Sequence, residues 1–382
     1  MTDQHPVPRN ARYRRIVVKV GSNLLTGGGA RLDAHAMSGL VRQIADVRRQ
    51  GAETVLVSSG AIAAGRHRLG DTAPLARRNT PTRQTLAAIG QSRLMSVWDE
   101  LFELEDIVVA QALLTRRDLS DRLGYLNTRN TLLGLIERGV VPIVNENDVV
   151  SIEEIKDTVI GDNDNLSAEV ANLVDADLLL ILTDIEGLYT SDPRHDRSAR
   201  LIETVERVDE ALLAAAAGAP GERGTGGMAT KVQAARVATQ AGVHVVIADG
   251  RREDAVGLVV AGEPLGTHFL PTADRVVSRR RHLLSALRAR GRIVVDEGAA
   301  RALRYDGKSL LPAGVTEADG PFERGDVVRV YTQDGGHLAT GSVNYSAGDI
   351  ERIKGQRSDR IADLLGYEYG EEVIHRDNLV LL

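Results

Sequence analysis

The sequence predicts an α/β fold, in which helices sandwich a mostly parallel sheet, followed by a small β-barrel-like domain. Three observations favour this fold. Short runs rich in β-branched residues alternate with stretches of helical spacing, which is the pattern of parallel α/β sheets. Polar or glycine-rich motifs directly follow four of these runs. Beyond residue 291 the alternation gives way to short β-rich runs, separated by turns rich in Gly and Asp.

The elements of the larger domain follow one another along the chain. The run "RRIVVKV" at 14–20 predicts a buried strand that ends at Gly21. A polar amphipathic stretch from Asp33 to Gln50 predicts a helix, because Asp is a favourable residue at a helix start. Further strands are predicted at 53–58, 106–111, 140–145, 177–183 and 243–248, and further helices at 83–105, 165–175 and 228–242.

A basic segment marks the junction between the two domains. Residues 271–291 contain six Arg against one Asp. We therefore predict the larger domain at 14–270, the junction at 271–291 and the second domain at 292–382. Residues 1–13 fall outside these patterns and are expected to be disordered.

The composition excludes several classes of protein. The 382 residues include no cysteine, which removes disulfides and thiolate chemistry. The net charge of −6 gives no general attraction to nucleic acid or to anionic membranes. The amino terminus has no apolar segment typical of a secretory signal, and no apolar run is long enough to span a bilayer. We expect a cytoplasmic protein with no membrane partner.

Unusual residues follow the predicted strands at their carboxyl ends, where parallel sheets bind their ligands. "KVGSN" closes the first strand and "SSGAIAAG" follows the second. "NEND" follows the run at 140–145, and Thr183 with Asp184 closes the run at 177–183. Each motif alone is compatible with a tight turn between strand and helix. Together they predict a binding site at this edge of the sheet.

The stretch "GTGGMATK" at 224–231 is a glycine-rich loop that leads into a predicted helix. Glycines let the backbone approach a phosphate, and the helix amino terminus offers free N–H groups and the positive end of the dipole. The spacing is not that of a Walker A loop. The stretch also does not directly follow a strand, as a dinucleotide-binding motif would. It predicts a phosphate site, with a mobile surface loop as the alternative.

Lysine is rare, and its few positions are informative. Of 47 basic residues only five are Lys, namely Lys19, Lys156, Lys231, Lys308 and Lys354. A lysine in such a background indicates a need for a compact ammonium. Lys19 and Lys231 both lie in glycine-rich contexts. An ammonium at the end of a buried strand is costly without an anion, so we expect Lys19 to pair with a carboxylate when no substrate is bound.

A dense cluster of acidic and amide side chains lies between residues 145 and 165. Its members are Asp148, Asp157, Asp162, Asp164, Asn145, Asn147, Asn163 and Asn165. These oxygen atoms can hold Mg²⁺, bind an ammonium, orient lysines or cap the helix predicted at 165–175. No Ser-His-Asp or H-E-x-x-H arrangement accompanies them. A carboxylate that accepts a phosphoryl group is already ionised, so it requires cations but no general base.

Taken together, these motifs resemble the amino acid kinase family from about residue 14 to near the end of the chain. The matching stretches are "VVKVGSNLLTGG", "VSSGAIAAGR", "IGQSRLM", "VPIVNENDVV", "GDNDNLSA", "LLILTDIEGLYTSDPR" and "GTGGMATKVQAA", in the family's order. Within the family they resemble the members that phosphorylate L-glutamate. The stretches "VDEGAARAL", "GKSLLPAGV" and "GYEYGEEVIHRDNL" resemble the PUA domain that many of these enzymes carry.

The resemblance implies transfer of the γ-phosphate of ATP to the γ-carboxylate of L-glutamate. The product is L-glutamyl 5-phosphate, at the first step of proline biosynthesis. Mg²⁺ is then carried on the ATP phosphates, with no protein ligand assigned to it, and L-proline is a feedback inhibitor. Family enzymes associate, so a homo-oligomer is expected.

The resemblance also implies the roles of individual residues. Lys19 and Lys231 offset charge on the transferred phosphoryl group, and Asp164 holds both lysines in place. Ser59, Asp148 and Asn163 bind glutamate. The nucleotide contacts are Lys19, Thr183, Asp184, Thr225, Gly226, Gly227, Met228, Ala229, Thr230 and Lys231. Ser58 departs from the family, which often has Thr at that position, and the conformation of the loop at 151–160 stays open.

Two other functions compete with this interpretation, whereas an inactive regulatory homologue is disfavoured because both lysines and the full acidic cluster are retained. The nearest is a kinase of another acid, such as N-acetylglutamate, aspartate or carbamate, against which the stretch "NEND…GDNDN" and the PUA-like region argue. The other is RNA binding, because PUA domains commonly bind structured RNA. Residues 292–382 contain 11 Lys and Arg against 16 Asp and Glu, whereas RNA-binding surfaces are normally basic. We therefore predict no tight RNA binding.

Overall fold

The computed structural model describes residues 12–70, 80–151, 163–217, 227–272 and 289–382. The chain divides into two compact units. The first comprises Met1–Leu119 with Thr128–Arg275, and the second comprises Ser120–Asn127 with Val276–Leu382. Residues 1–11 of the segment predicted to be disordered, and 273–288 of the basic junction, lie outside the described residues.

The first unit is built on an eight-stranded sheet with the order β3-β4-β2-β1-β5-β7-β8-β6. The six strands from β3 to β7 in this order run parallel, β8 pairs antiparallel with β7, and β6 pairs parallel with β8. The strands are β1 (Arg15–Val20), β2 (Glu53–Ser58), β3 (Val109–Leu114), β4 (Val141–Glu146), β5 (Leu178–Thr183), β6 (Thr204–Val205), β7 (His244–Asp249) and β8 (Thr267–Phe269). The prediction of a mostly parallel α/β sheet is confirmed.

Helices cover both faces of this sheet. In chain order, the helices that precede β8 are α1 (Ser22–Thr26), α2 (Ala34–Arg49), α3 (Ala61–Leu69), α4 (Thr80–Glu103), α5 (Arg116–Ser120), α6 (Arg122–Glu137), α7 (Asn163–Leu173), α8 (Glu210–Ala217), α9 (Met228–Gln240) and α10 (Ala255–Ala261). Helices α2, α4 and α10 share one hydrophobic core with the sheet. Helices α7 and α9 pack together, α7 against β1 and β5 and α9 against β7.

The alternation of side chains along β1 decides where its lysine points. Successive residues of a strand face opposite sides of the sheet. Ile16, Val18 and Val20 belong to the core shared with α2, α4 and α10. Val17 and Lys19 therefore face the other side, on which α7 and α9 lie. Lys19 is thus buried on the side of the sheet that α7 and α9 cover.

Two glycines allow α3 and α4 to cross at very short range. A Cβ atom added at Gly65 would lie 1.9 Å from the carbonyl oxygen of Leu86, and one at Gly90 would lie 1.8 Å from that of Ala61. Both neighbours are backbone atoms, which no rotamer change can move aside. The glycines of "SSGAIAAG" and "IGQSRLM" therefore seat these two helices against each other.

Several predicted bounds were wrong by two or three residues, and the helix predicted at 83–105 is α4 at Thr80–Glu103. The strand predicted at 106–111 is β3 at Val109–Leu114, because Asp106 adopts a positive φ of 57° in the turn after α4 and delays the strand. The helix predicted at 165–175 is α7 at Asn163–Leu173. Asp164 and Asn165 therefore lie inside its first turn instead of capping it.

The second unit contains a separate five-stranded sheet with the order β10-β9-β11-β12-β13. Its strands are β9 (Gly291–Val295), β10 (Val315–Asp319), β11 (Val327–Thr332), β12 (His337–Ser342) and β13 (Leu379–Leu381). The pairing of β9 with β11 is parallel, and the other pairings are antiparallel. Three short helices, Glu297–Tyr305, Ala347–Ile353 and Ile361–Leu365, help to enclose its own hydrophobic core.

Among the residues that the structure describes, no helix combines the length and the apolar character that crossing a membrane requires.

Candidate active site

The carboxyl ends of the parallel strands form one continuous edge, tied together by backbone hydrogen bonds. The Ser59 N–H donates to the carbonyl oxygen of Val20 at 3.1 Å, which links the ends of β2 and β1. The Gly250 N–H donates to that of Thr183 at 2.9 Å, which links the ends of β7 and β5. The motifs that follow the strands are thereby held side by side, as the sequence predicted.

A single carboxylate lies between two lysines at this edge. Lys19 Nζ is 2.5 Å from Asp164 Oδ1, and Lys231 Nζ is 3.1 Å from Asp164 Oδ2. The three side chains come from the end of β1 and the first turns of α7 and α9. All three are buried, with relative exposures of 6%, 3% and 8% for Lys19, Asp164 and Lys231. The structure thus brings together the residues that we expected to form the catalytic group.

The charge of Asp164 is stabilised by its neighbours. Burial alone would raise its pKa, but the ammoniums of Lys19 and Lys231 outweigh burial, and hydrogen bonds from Lys19 and Thr230 add to their effect. The pKa of Asp164 is therefore held below its ordinary value. Thr230 Oγ1 lies 2.8 Å from Asp164 Oδ2. Both carboxylate oxygens are engaged, so this residue is poorly suited to bind a metal ion as well.

The amino terminus of α9 lies next to this group. Gly227 is the N-cap residue, in extended conformation, and among the described residues no side chain caps the helix. The N–H groups of the first turn thus keep their capacity to bind an anion. Of the predicted nucleotide contacts, Gly227, Met228, Ala229, Thr230 and Lys231 lie at this helix start. Thr225 and Gly226 lie outside the described residues.

The end of β5 provides a second polar corner. Asn23 Nδ2 donates to Asp184 Oδ2 at 3.0 Å, and Thr183 Oγ1 donates to Asp184 Oδ1 at 3.2 Å. Burial would raise the pKa of Asp184, but these hydrogen bonds hold it below the ordinary value. Arg251, whose guanidinium is paired with Asp249, also donates to the carbonyl oxygen of Asp184 at 2.8 Å. The motif "KVGSN" therefore supports Asp184 through Asn23.

Neutral side chains gather at the ends of β2 and β4. Asn163 Nδ2 lies 2.9 Å from Ser59 Oγ and 3.1 Å from Asn145 Oδ1. Asn145 Nδ2 donates in turn to Gln91 Oε1 at 2.8 Å. Two of the three predicted glutamate contacts, Ser59 and Asn163, are thus in direct contact. The third, Asp148, is half-buried in the turn after β4.

Ser58, which departs from the family pattern, has a structural role. Its hydroxyl accepts a hydrogen bond of 2.9 Å from the indole N–H of Trp98, and both side chains are buried. Ser58 precedes Ser59 and faces α4, away from the lysines. Ser58 therefore does not face the site, and its hydrogen bond to Trp98 holds the end of β2 against α4.

The sequence did not identify Gln91, Thr230 as a partner of Asp164, or Asn23 as a partner of Asp184. Gln91 lies in the motif "IGQSRLM", which contributed to the family resemblance, but no function was assigned to Gln91 from the sequence. Only the crossing of α3 and α4 shows that it reaches Asn145. Asp157 and Asp162, and residues 152–160 of the loop whose conformation was left open, lie outside the described residues.

Comparison with known families agrees with this geometry. The amino acid kinase family model matches residues 14–249, and the PUA domain model matches residues 291–365. Among solved structures, UMP kinase from Bacillus anthracis covers 68% of this chain and 97% of its own at 14% identity, with a TM-score of 0.49. That likeness is too distant to carry an argument.

Curated relatives match almost the whole chain. Glutamate 5-kinase from Dehalococcoides mccartyi is 52% identical over 97% of this chain and 99% of its own. Those from Herpetosiphon aurantiacus and Deinococcus radiodurans are 50% and 51% identical over 96% of this chain, and cover 98% and 100% of their own lengths. The chain is an enzyme that belongs to the amino acid kinase family, in the branch formed by the glutamate 5-kinases, and it carries a C-terminal PUA domain.

Proposed function

We propose that this protein transfers the γ-phosphoryl group of ATP to the γ-carboxylate of L-glutamate, forming L-glutamyl 5-phosphate for proline biosynthesis. One observation carries the proposal. Two buried lysines share a single carboxylate at the carboxyl edge of a parallel sheet, beside the start of a helix whose N-cap residue is a glycine. The glutamate 5-kinases that match the chain over nearly its full length supply the acceptor.

The charges suit an acceptor that is already an anion. Donor phosphate and acceptor carboxylate repel each other, and cations must offset that repulsion in the transition state. Lys19 and Lys231 provide two ammoniums, which Asp164 holds apart from each other and in position. No general base is required, because the γ-carboxylate has no proton to lose at neutral pH. The first turn of α9 adds N–H donors for the phosphates.

Mg²⁺ is proposed to bind to the phosphates of ATP and not directly to side chains of the protein. It would supply charge neutralisation at the phosphates, as in other phosphoryl transfers. Asp164 offers it no free oxygen, since both its oxygens meet ammoniums. Asp184 binds Asn23 and Thr183 through its two oxygens and remains only half-buried, which suits a contact to the nucleotide or its hydrated metal.

The acceptor specificity is tested with purified protein and MgATP. ADP release would be measured with L-glutamate, N-acetyl-L-glutamate and L-aspartate, with hydroxylamine present to trap an acyl phosphate as hydroxamate. We expect hydroxamate with L-glutamate alone. Turnover of another acid would retain the phosphoryl-transfer chemistry and refute the acceptor. Absence of turnover with every acid would refute the proposed function.

The remaining parts of the proposal concern partners. We expect L-proline, and not D-proline, to inhibit hydroxamate formation, and the protein to form a homo-oligomer that light scattering detects. We expect it in the cytoplasm. Tight RNA binding is not expected, because the second domain is acidic overall. Submicromolar affinity for structured RNA in a filter-binding assay at physiological salt would contradict that expectation.

A further inference from the structure

Four neutral side chains are linked by hydrogen bonds at the acceptor end of the site: Ser59, Asn163, Asn145 and Gln91. One backbone N–H fixes which atom donates and which accepts in each of these bonds. We call these four residues the amide relay. The Glu146 N–H donates to the side chain of Asn145 at 2.9 Å. A backbone N–H can only donate, so the atom that accepts must be Oδ1. The amide of Asn145 thus has one allowed orientation, with Nδ2 facing Gln91.

That orientation fixes the neighbouring amides. Asn145 Nδ2 donates at 2.8 Å, so Gln91 must present Oε1 and turn Nε2 away. On the other side, Asn145 Oδ1 accepts at 3.1 Å, so Asn163 must present Nδ2 and turn Oδ1 away. Asn163 Nδ2 also donates to Ser59 Oγ at 2.9 Å, which leaves the hydroxyl hydrogen of Ser59 to be donated elsewhere.

The two atoms turned away are buried and unsatisfied. Gln91 Nε2 and Asn163 Oδ1 have no hydrogen-bond partner among the residues that the structure describes. Buried polar groups are normally paired, and an unpaired one is destabilising. One of these atoms is a donor and the other an acceptor. An α-amino acid carries the matching pair of groups, a carboxylate that accepts and an ammonium that donates.

We propose that Gln91 is a specificity residue of the acceptor site. Its Nε2 donates to the α-carboxylate of the amino acid, while Asn163 Oδ1 accepts from the α-ammonium. This inference rests on the proposed function. The γ-carboxylate must lie beside Lys19 at the end of β1 to receive the phosphoryl group. Gln91 binds Asn145 on β4, which β2 separates from β1, so it meets the other end of the substrate.

The competing role for Gln91 is purely structural, as a support for Asn145. The substitution Gln91→Glu separates the two roles. It keeps an oxygen that accepts from Asn145 Nδ2, and it replaces the unsatisfied donor with a second carboxylate oxygen. A support role survives this change. A contact to the α-carboxylate does not, because two carboxylates would then face each other.

The experiment compares two acceptors that both carry a free γ-carboxylate. L-Glutamate has an α-carboxylate, whereas L-isoglutamine has an α-carboxamide that can donate a hydrogen bond. We expect Gln91→Glu to lower kcat/KM for L-glutamate by about 100-fold or more, because a hydrogen-bonding site discriminates strongly against a mismatched group. The ratio of kcat/KM for L-isoglutamine to that for L-glutamate should rise at least about tenfold. The KM for ATP should not change.

A matched control lies on the same helix. Gln84 stands two turns before Gln91, and its Nε2 already donates to the carbonyl oxygen of Ser151 at 3.1 Å. Gln84→Glu should leave the ratio between the two acceptors as in the wild type. Equal losses for both acceptors in Gln91→Glu would overturn the proposal and leave Gln91 as a support.

A second variant keeps the test decisive if Gln91→Glu fails to fold, as judged by its melting temperature. Gln91→Met has similar volume and no hydrogen-bonding amide, and it should also raise the ratio, by a smaller factor. An unchanged ratio in this variant overturns the proposal. A wild type that turns over neither acid refutes the proposed function instead. Calorimetry would then still test the relay, since loss of Gln91 must weaken binding of L-glutamate more than of L-isoglutamine.

Discussion

The two ends of the site use different chemistry although they lie on the same sheet edge. The phosphate end consists of three ionised side chains, Lys19, Asp164 and Lys231, in direct ionic contact. The acceptor end consists mainly of neutral side chains linked by hydrogen bonds. The ionised side chains lie where the phosphoryl group is transferred, whereas the neutral amides lie where the acceptor substrate is recognised. Variants at the two ends should therefore fail in different kinetic parameters.

The largest effect is expected for Lys231→Ala. Removing a cation that stabilises a phosphoryl-transfer transition state lowers kcat by roughly 10³-fold or more, with a smaller change in the KM for L-glutamate. Hydroxamate formation measures both parameters. Lys308→Ala, at an exposed lysine of the second unit, is the control and should retain full activity. An unchanged kcat in Lys231→Ala would remove the basis for distinguishing the two ends.

Asp164→Asn should affect stability as well as rate. It leaves two buried ammoniums without their shared anion, and breaking a buried ion pair costs about 3–5 kcal/mol. Urea unfolding at neutral pH measures the loss in free energy of unfolding. Asp363→Asn, at an exposed surface pair with Arg360, should cost less than about 0.5 kcal/mol. The double variant with Lys231→Met should regain part of the loss, since one uncompensated charge is removed with it.

Gly90→Ala tests whether the acceptor end depends on helix packing. Its Cβ would clash with the backbone of α3, and overpacking costs about 1–3 kcal/mol. The shift of α4 would also displace Gln91, so the KM for L-glutamate should rise while that for ATP stays constant. Gly257→Ala in α10, where nothing lies within 4 Å of the added Cβ, is the control and should not destabilise. An equal rise in the KM for L-glutamate and the KM for ATP would contradict this prediction, because it would show that the packing of α3 against α4 positions both ends of the site.

The smallest effect concerns the opposite, amino-terminal end of the strands. Burial, with smaller effects from His244 and Arg12, lowers the pKa of His268 to about 4. A histidine whose folded pKa lies below the unfolded value of about 6.5 stabilises fully above pH 6.5, and this stabilisation is lost between pH 6.5 and 4. Because the ring is half-buried, we expect a loss of only about 1 kcal/mol.

Thermal unfolding across that range, compared with His268→Gln, measures the contribution of His268. The variant should show a flatter dependence on pH. Asp164 cannot account for a change in this window, because its pKa is lowered and its stabilisation is lost only below about pH 4. Parallel curves for wild type and variant would contradict the assignment to His268.

The sequence predicted the phosphate end better than the acceptor end. Lys19 closes a hydrophobic run, and a buried ammonium requires an anion, so its pairing with a carboxylate followed from local pattern and energetics. The contact of Gln91 with Asn145 joins a helix to a strand more than 50 residues later, and it depends on how closely α3 and α4 approach. No local pattern encodes that distance.

Helix α6 shows a different limit of the sequence pattern. Its stretch "RLGYLNTRNTLLGLIE" contains Gly124 and Gly134, which disfavour helix, and the sequence pattern gave no bounds for a helix there. Tertiary packing overrides that local preference. The nucleotide contacts at Thr225 and Gly226, and the roles of all the site residues, remain predictions from the resemblance.

The contact between α3 and α4 also constrains how this sequence can change over time. At Gly65 and at Gly90 the obstructing atoms are main-chain atoms, so no substitution at the partner position can make room for a side chain. The two positions cannot compensate for each other, so a side chain at either one costs stability whatever residue stands at the other. Libraries that randomise the acceptor end should hold both positions fixed and vary the residues around them.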